Sequence, residues 1–299
     1  MRARFLEVLG MDHIPEAVDA TAETVSEDGV HRELRLSYVN SLGETLTGAA
    51  LVPLDPPGGQ VPGVVCMHGT GGTTANVLAR ELEVDPESGQ LRGWGRELAS
   101  RGYATISISL KGSVVRRATE EAWEEEAKLL EAYGRPHAGI VAEEALLAAR
   151  ALGGLPEVDG ARIGLTGMSL GGMATWTAMA SDPSIRAGAA VCGVLGSLAR
   201  LIHEGNIWRH SSLVFVPHLL RYFDHGDIVA GCIAPRPFMA VAPLDDVDMP
   251  SAAVDDLVRT VAPAYAETSE RFVVHRPPGG HIFTVEAFEQ VVAWFGRFL

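Results

Sequence analysis

The sequence predicts an α/β protein built on a doubly wound, mostly parallel sheet with helices on both faces. Short continuous apolar runs such as "YATISIS", "ARIGLT" and "PFMAVAP" are typical of strands that are covered on both sides. Segments with apolar residues every three or four positions separate most of these runs, as in "AGIVAEEALLAARAL". Strands that alternate with helices in this way form parallel sheets.

The N-terminal part of the chain shows a different pattern. The segments "VHRELRLSYVN" and "TLTGAALVP" alternate apolar and polar residues with a period of two, which is typical of half-buried strands. We therefore expect neighbouring antiparallel strands before the parallel sheet begins. Residues 1–299 are predicted to form a single domain, in which segments 111–138 and 197–235 break the alternation and form insertions that cover the active site.

Composition excludes several classes of partner. The formal net charge is −14, so a nucleic acid or an anionic membrane surface is not an expected partner. Hydrophobic residues make up 47% of the chain, yet no apolar run approaches the length of a membrane span. Glu7, Asp12 and Glu16 interrupt the N-terminal segment, so no signal peptide is expected.

Three cysteines, Cys66, Cys192 and Cys232, lie in apolar surroundings. An odd number of cysteines in such positions favours buried, reduced thiols over a disulfide framework. A cytoplasmic location is the expectation that follows. The sequence leaves a homo-oligomer open.

The segment "GLTGMSLGGMATW" places Ser169 at a turn between a predicted strand and a predicted helix. A sharp strand-to-helix turn of the form G-x-S-x-G presents the serine at the carboxyl edge of the sheet, and its glycines avoid clashes in the tight corner. The helix contributes backbone N–H groups and the positive end of its dipole. The same pattern arises by chance in a chain with 33 glycines, so the assignment depends on partners for Ser169.

A nucleophilic serine needs a histidine as base, and the histidine needs a carboxylate to orient it. His281 follows the predicted strand "RFVVH" and a Gly-Gly pair, and is preferred over His275, which lies within the strand. The acid is expected after the preceding strand, where "LDDVDMP" offers Asp245, Asp246 and Asp248. Asp246 is the preferred acid, while its neighbours are candidates for capping the next helix.

An oxyanion hole requires two backbone donors near the serine. The first is the N–H of Leu170, and the second is expected in the glycine-rich loop "HGTGG" at 68–72. Thr70 is the preferred donor there, with Gly71 as the alternative. The loop lacks the lysine of a phosphate-binding P-loop. The chain order of serine, acid and histidine is that of one class of serine hydrolases.

Pocket residues are expected in the second insertion, between residues 203 and 228. The aromatic and apolar candidates there are Trp208, Phe215, Leu219, Tyr222 and Phe223. The predicted pocket set consists of His68, Trp208, Phe215 and Tyr222. Core packing explains each of the aromatic residues equally well.

The motifs "GMSLGG", "HGTGG", "LDDVDMP" and the C-terminal "GGHIFTVEAFEQVVAWFGRFL" resemble the α/β-hydrolase fold, in the branch of dienelactone hydrolases, acetyl xylan esterases and prolyl-oligopeptidase-type domains. The resemblance extends from about residue 30 to the end of the chain. It implies an ester-hydrolysing enzyme with Ser169, Asp246 and His281 as triad. Two departures stand out: dienelactone hydrolases proper use a cysteine nucleophile, and "LKGSVVRR" replaces a usual Asp-x-Arg-Gly motif.

The function predicted from these observations is that of a serine carboxylesterase acting on short-chain, acetyl-type esters of small molecules. No cofactor is expected, and no metal, because no histidine pair at ligand spacing accompanies the acidic loop. Three alternatives stay open at this point. A peptidase or a lactone hydrolase could use the same fold, and a non-catalytic ligand-binding protein could retain the pocket.

Overall fold

The computed structural model describes residues 1–54, 58–205 and 207–299. Eleven strands are found in this part of the chain. They are β1 (Thr21–Glu27), β2 (His31–Val39), β3 (Thr45–Pro53), β4 (Val61–Met67), β5 (Glu83–Val84), β6 (Leu91–Arg92), β7 (Ala104–Ile108), β8 (Val158–Met168), β9 (Ala187–Val191), β10 (Phe238–Val241) and β11 (Phe272–His275).

Helices connect most of the strands. They are α1 (Arg2–Val8), α2 (Thr74–Val77), α3 (Trp94–Ser100), α4 (Glu120–Ala132), α5 (His137–Gly153), α6 (Leu170–Ser181), α7 (Leu198–Glu204), α8 (Leu219–Tyr222), α9 (His225–Ile228), α10 (Ser251–Val261) and α11 (Val285–Phe298). Short 3-10 turns, such as Ile207–Arg209 and Ser212–Val214, lie between them.

Nine of the strands form one sheet in the order β1-β2-β3-β7-β4-β8-β9-β10-β11. The pairs β1–β2, β2–β3 and β3–β7 are antiparallel, and all later pairs are parallel. Strands β5 and β6 form a separate hairpin. The predicted fold class, a mostly parallel sheet with antiparallel N-terminal strands, is confirmed.

The apolar runs of the sequence are buried on both faces of the sheet. Every residue of β7, β9 and β10 is buried, because helices cover each side. One hydrophobic cluster contains α5 and α6, and a second on the other face contains α3 and α11. This arrangement leaves the carboxyl ends of β4, β8, β9 and β10 as the edge where loops meet.

The two predicted insertions differ in structure. Segment 111–138 contains the helix α4, whose Trp123 stacks on His137 at a ring distance of 4.0 Å. In segment 197–235, the described residues include the short helices α7, α8 and α9. The single-domain organisation stays a prediction.

Two further sequence-based expectations concern the chain as a whole. All three cysteines are buried and unpaired, as predicted. In the part of the chain that the structure describes, no helix combines the length and the apolar character needed to cross a bilayer.

Candidate active site

Ser169 lies at the turn between β8 and α6, where its backbone has φ = 55° and ψ = −112°. This positive φ is strained for a residue with a side chain, and such strain persists only where the surrounding structure enforces it. The backbone N–H of Ser169 donates to the carbonyl of Val191 at the end of β9, at 2.8 Å. The turn is thereby fixed to the neighbouring strand, at the carboxyl edge of the sheet.

The glycines beside Ser169 are required by close backbone contacts. A Cβ added to Gly171 would lie 2.1 Å from the carbonyl oxygen of Met67 in β4, and one added to Gly167 would lie 2.6 Å from the same oxygen. Neither position has room for a side chain. The absence of a Cβ lets α6 begin directly against β4, which sets the direction in which the serine points.

Asp246 and His281 form a closely paired dyad. Nδ1 of His281 lies 3.0 Å from each carboxylate oxygen of Asp246. The Asp246 side chain is 5% exposed and the His281 side chain 20%. A buried carboxylate on Nδ1 favours the tautomer in which Nδ1 carries the proton, so Nε2 is left as the basic nitrogen.

Asp245 has a different function from Asp246. Its backbone N–H donates to the carbonyl of Gly279 at 3.0 Å, and its carboxylate accepts from the Gly279 N–H at 3.3 Å. Gly279 has φ = 106°, a conformation that favours glycine. These contacts join the acid loop to the loop that carries His281, so Asp245 supports the dyad without touching the imidazole.

A second carboxylate also approaches the histidine. Oδ2 of Asp248 lies 3.4 Å from Nδ1 of His281, and Oδ1 of Asp248 accepts from Nε of Arg209 at 3.0 Å. Burial alone would lower the pKa of His281, but its hydrogen bond to Asp246 and the charges of Asp246 and Asp248 outweigh this and raise the pKa above its usual value.

Ser169 and His281 both line one cavity of about 990 Å³. No direct hydrogen bond joins their side chains among the residues that the structure describes. Catalytic hydrogen bonds are often long in a free enzyme and tighten in the substrate complex. The structure therefore brings Ser169, the predicted nucleophile, and His281, the predicted base, to one cavity, and their direct contact stays a prediction.

The predicted oxyanion donors border a smaller side pocket next to Ser169. Thr70 and Leu170 line this pocket of about 130 Å³ together with the serine. Leu170 is the first residue of α6, where a backbone N–H has no acceptor within the helix. The carbonyl of Thr70 accepts from the N–H of Val114 at 2.9 Å, which fixes this loop against segment 111–138.

His68, a candidate pocket residue, lies in the lining of the larger cavity. Its Nδ1 lies 2.7 Å from the carbonyl of Gly69, and its Nε2 lies 3.2 Å from Oγ of Ser109. Burial lowers the pKa of His68, with a smaller opposing effect from the Gly69 carbonyl, so the neutral ring is favoured. This neutral histidine holds the glycine-rich loop in shape.

The other predicted pocket residues separate into two groups. Trp208 lines the cavity at its rim and is 82% exposed. The lining of the cavity does not include Phe215 or Tyr222, which is a correction to the sequence-based assignment. Phe215 packs against the main hydrophobic cluster, and Tyr222 faces outward beneath the Arg4 guanidinium, because the short helical pieces of the insertion turn these rings away.

Sequence reasoning missed several cavity residues. The β5–β6 hairpin contributes a polar wall from the segment "DPESGQ", and α3 contributes Trp94. Segment 111–138 contributes Arg117 and Trp123, with the Arg117 guanidinium 4.6 Å from the Trp123 ring centre. The turn residues of "DPESGQ" predict a hairpin, but no local pattern indicates that it lies beside residues 169 and 281.

One thiol lies beside the dyad. Sγ of Cys192, an oxygen of Asp246 and a ring nitrogen of His281 all lie within 4.8 Å of one another. Burial raises the pKa of the Cys192 thiol, and the Asp246 charge adds to this effect. The protonated thiol is therefore favoured over the thiolate that a metal requires, and the two other groups already pair with each other.

The sheet topology, the strained serine turn and the Asp246–His281 dyad at one edge define an α/β-hydrolase fold. No family model matches the chain. The sequence is similar to the "Putative hydrolase YtaP" of Bacillus subtilis (strain 168), with 27% identity over 243 residues, which cover 81% of this chain and 80% of that protein.

Solved structures show the same fold. An acetyl xylan esterase from Paenibacillus sp. R4 superimposes with a TM-score of 0.68 at 17% identity, covering 100% of this chain and 93% of the other. A glucuronoyl esterase from Solibacter usitatus gives a TM-score of 0.70 at 14% identity, covering 99% and 91%. The predicted resemblance to the α/β-hydrolase fold is confirmed.

Proposed function

We propose that this protein is a serine carboxylesterase that hydrolyses short-chain acyl esters through an acyl-enzyme. The Asp246–His281 dyad carries this proposal, because it provides an oriented base in the same cavity as a serine held at a strained turn. The likeness to a hydrolase in sequence and to esterases in structure supports it.

In the proposed reaction, Oγ of Ser169 attacks the ester carbonyl carbon while its proton passes to Nε2 of His281. Asp246 stabilises the imidazolium that forms, and the N–H groups of Thr70 and Leu170 hold the oxyanion. His281 then gives its proton to the departing alcohol. Water, activated by the same imidazole, releases the acid and restores Ser169.

The side pocket supports a preference for short acyl groups. It adjoins Ser169 and is walled by Met173, Val194, Leu213 and Val214. Its volume of about 130 Å³ corresponds to about four water molecules at roughly 30 Å³ each. An acetyl or propionyl group fits such a space, whereas an octanoyl chain extends beyond it into the larger cavity, whose lining carries many charged and polar groups.

The larger cavity supports a bulkier and more polar alcohol portion. Among its lining residues are three arginines, four carboxylates and the indoles of Trp94, Trp123 and Trp208. Aromatic faces with surrounding polar groups suit a hydroxylated leaving group better than a plain alkyl chain. A cytoplasmic location stays part of the proposal, and the buried unpaired cysteines support it.

A series of p-nitrophenyl esters from acetyl to octanoyl tests the reaction and its acyl preference. We expect kcat/KM to be highest for acetyl or propionyl, and turnover to fall to background in Ser169→Ala. In Leu213→Ala, a wider side pocket moves the optimum to a longer chain, while Leu220→Ala, at a half-exposed position of the same insertion, keeps the wild-type optimum. A wild-type maximum at octanoyl contradicts the acyl preference, and equal turnover by Ser169→Ala contradicts the serine mechanism.

A further inference from the structure

The second carboxylate near His281 is held in place from both sides. Oδ2 of Asp248 lies 3.4 Å from Nδ1 of His281, while Oδ1 accepts from Nε of Arg209 at 3.0 Å. The backbone N–H of Asp248 donates to Oδ1 of Asp246 at 2.9 Å. Each oxygen of Asp248 therefore faces a different partner, and the main chain of Asp248 is tied to the triad acid.

Arg209 belongs to a different part of the molecule. It is the last residue of the 3-10 turn Ile207–Arg209, in the insertion at 197–235. Both Arg209 and Asp248 line the larger cavity and the side pocket beside Ser169. The ion pair thus joins the insertion, which borders the substrate space, to the loop that orients the base.

We propose that Asp248 is a second positioning residue for His281, and that Arg209 holds Asp248 so that the insertion adjusts the catalytic histidine. This inference rests on the proposed function only in taking His281 as the catalytic base. Asp246 remains the main partner, since both of its oxygens lie 3.0 Å from Nδ1. Asp248 adds a longer contact and a second negative charge on the same side of the ring.

The charged and titratable groups that face His281 act in opposite directions. Burial lowers its pKa most strongly among the individual causes, Asp246 and Asp248 raise it, and Arg209 lowers it. Among the described residues, His210, whose own pKa is lowered by burial, and the protonated thiol of Cys192 are two further titratable neighbours. Removal of Asp248 and removal of Arg209 should therefore change the affinity of His281 for a proton with opposite signs.

The test is an NMR titration of ¹³C-labelled histidine in the full-length wild type and in Asp248→Asn, Arg209→Gln and the double variant. His281→Gln assigns the resonance. We expect the His281 titration to move to lower pH in Asp248→Asn, to higher pH in Arg209→Gln, and to return toward the wild-type value in the double variant. Arg221→Gln, which removes another cation from the same insertion, should leave it unchanged.

The acid limb of the pH profile of kcat/KM shows whether these changes affect catalysis. Because the free imidazole is the active form, this limb should follow the NMR titration in each variant. Asp248→Glu keeps the charge, so His281 should titrate at a higher pH in this variant than in Asp248→Asn. A purely structural function of Asp248 does not predict this difference. If Asp248→Asn does not fold, Arg209→Gln alone still tests whether the His281 titration moves to higher pH.

Unchanged NMR titrations in both single variants, or shifts of the same sign, would overturn the inference. The NMR titration needs no turnover, so it separates two failures. If the titrations shift as expected but Ser169→Ala hydrolyses esters like the wild type, the positioning of His281 stands and the proposed serine mechanism fails.

Discussion

Asp246 and Asp245 are adjacent in the chain but contact different partners. Asp246 pairs with the imidazole of His281, whereas Asp245 binds the backbone of Gly279. Asp246→Asn leaves the side-chain volume intact but favours the wrong tautomer, so if Ser169, Asp246 and His281 act as proposed we expect kcat to fall by about 10⁴-fold, as in the serine protease triad. Steady-state hydrolysis of p-nitrophenyl acetate measures this loss.

Asp245→Asn is the matched control for this variant. It removes a charge from the same loop without touching the ring, and we expect kcat to stay within about tenfold of the wild type, since it alters only a supporting contact. Similar losses of kcat in the two variants would show that activity depends on the charge of the loop and not on the contact between Asp246 and Nδ1 of His281.

At the residue scale, the sequence predicts that residues approach one another if each lies in a loop that follows a strand of the parallel sheet. Ser169 comes directly after β8, and Asp246 and His281 lie in the loops that follow β10 and β11, so all three belong to carboxyl ends that share one edge of the sheet. Arg209 could not be found in this way, because it lies in an irregular segment, and only the packing of that segment brings it to Asp248.

The serine turn depends on close packing between β4, β8 and α6. Because a Cβ on Gly171 would lie 2.1 Å from the Met67 carbonyl, Gly171→Ala forces the helix away from the sheet. We expect the free energy of unfolding to fall by about 1–3 kcal/mol or more. Denaturation in urea, followed by tryptophan fluorescence, gives this quantity.

Gly71→Ala provides the comparison, because a Cβ there meets nothing within 4 Å and the backbone has no positive φ. Its free energy of unfolding should equal or slightly exceed that of the wild type. A Gly171→Ala protein as stable as Gly71→Ala would mean that α6 can shift freely, and that the turn is not fixed as described.

At the element scale, the pattern of apolar residues predicts the strands and helices well, because the parallel strands are buried along their whole length and leave continuous apolar runs in the sequence. The short pieces of the second insertion leave no such trace. Phe215 and Tyr222 could therefore not be assigned to pocket or core from hydrophobicity alone, and the β5–β6 hairpin could not be placed beside the cavity.

A buried ion-pair network connects the N-terminal antiparallel strands to the rest of the molecule. Nη1 of Arg116 lies 2.7 Å from both oxygens of the fully buried Glu144 in α5, and Nη2 lies 2.8 Å from Glu44 between β2 and β3. The N–H of Lys111 donates to Glu144 at 2.7 Å. The network thus occupies the part of the chain where "LKGSVVRR" departs from the resembled family.

Arg116→Met leaves Glu144 as a buried carboxylate without its main partner. Unfolding free energy should fall by about 3–5 kcal/mol at neutral pH. Burial already raises the pKa of Glu144, and loss of the arginine raises it further, so the defect shrinks as the pH falls and the carboxyl takes up a proton. Thermal and chemical denaturation between neutral and acidic pH measures both effects.

Arg35→Met tests whether the loss of stability in Arg116→Met arises because its ion pair is buried. Arg35 pairs with Glu23 on the surface, with side chains 52% and 68% exposed. We therefore expect Arg35→Met to lower the free energy of unfolding by at most about 1 kcal/mol at any pH. Equal losses in the two arginine variants would contradict the special importance of the buried network.

At the scale of the whole molecule, the order of the elements predicts the fold and the edge at which the site lies. The same order cannot predict the side pocket proposed to hold the acyl group, because its apolar walls come from the start of α6, the loop after β9 and the second insertion. These segments are far apart in the sequence, and only their packing brings them together.

Reaction with a fluorophosphonate probe, followed by intact-protein mass spectrometry, shows whether Ser169 is an activated nucleophile. We expect one covalent adduct on the folded wild type, mapped to Ser169 by peptide sequencing, and none on folded Ser169→Ala. A folded wild type that takes up no probe, or a Ser169→Ala protein labelled to the same extent, would contradict the assignment of Ser169 as an activated nucleophile.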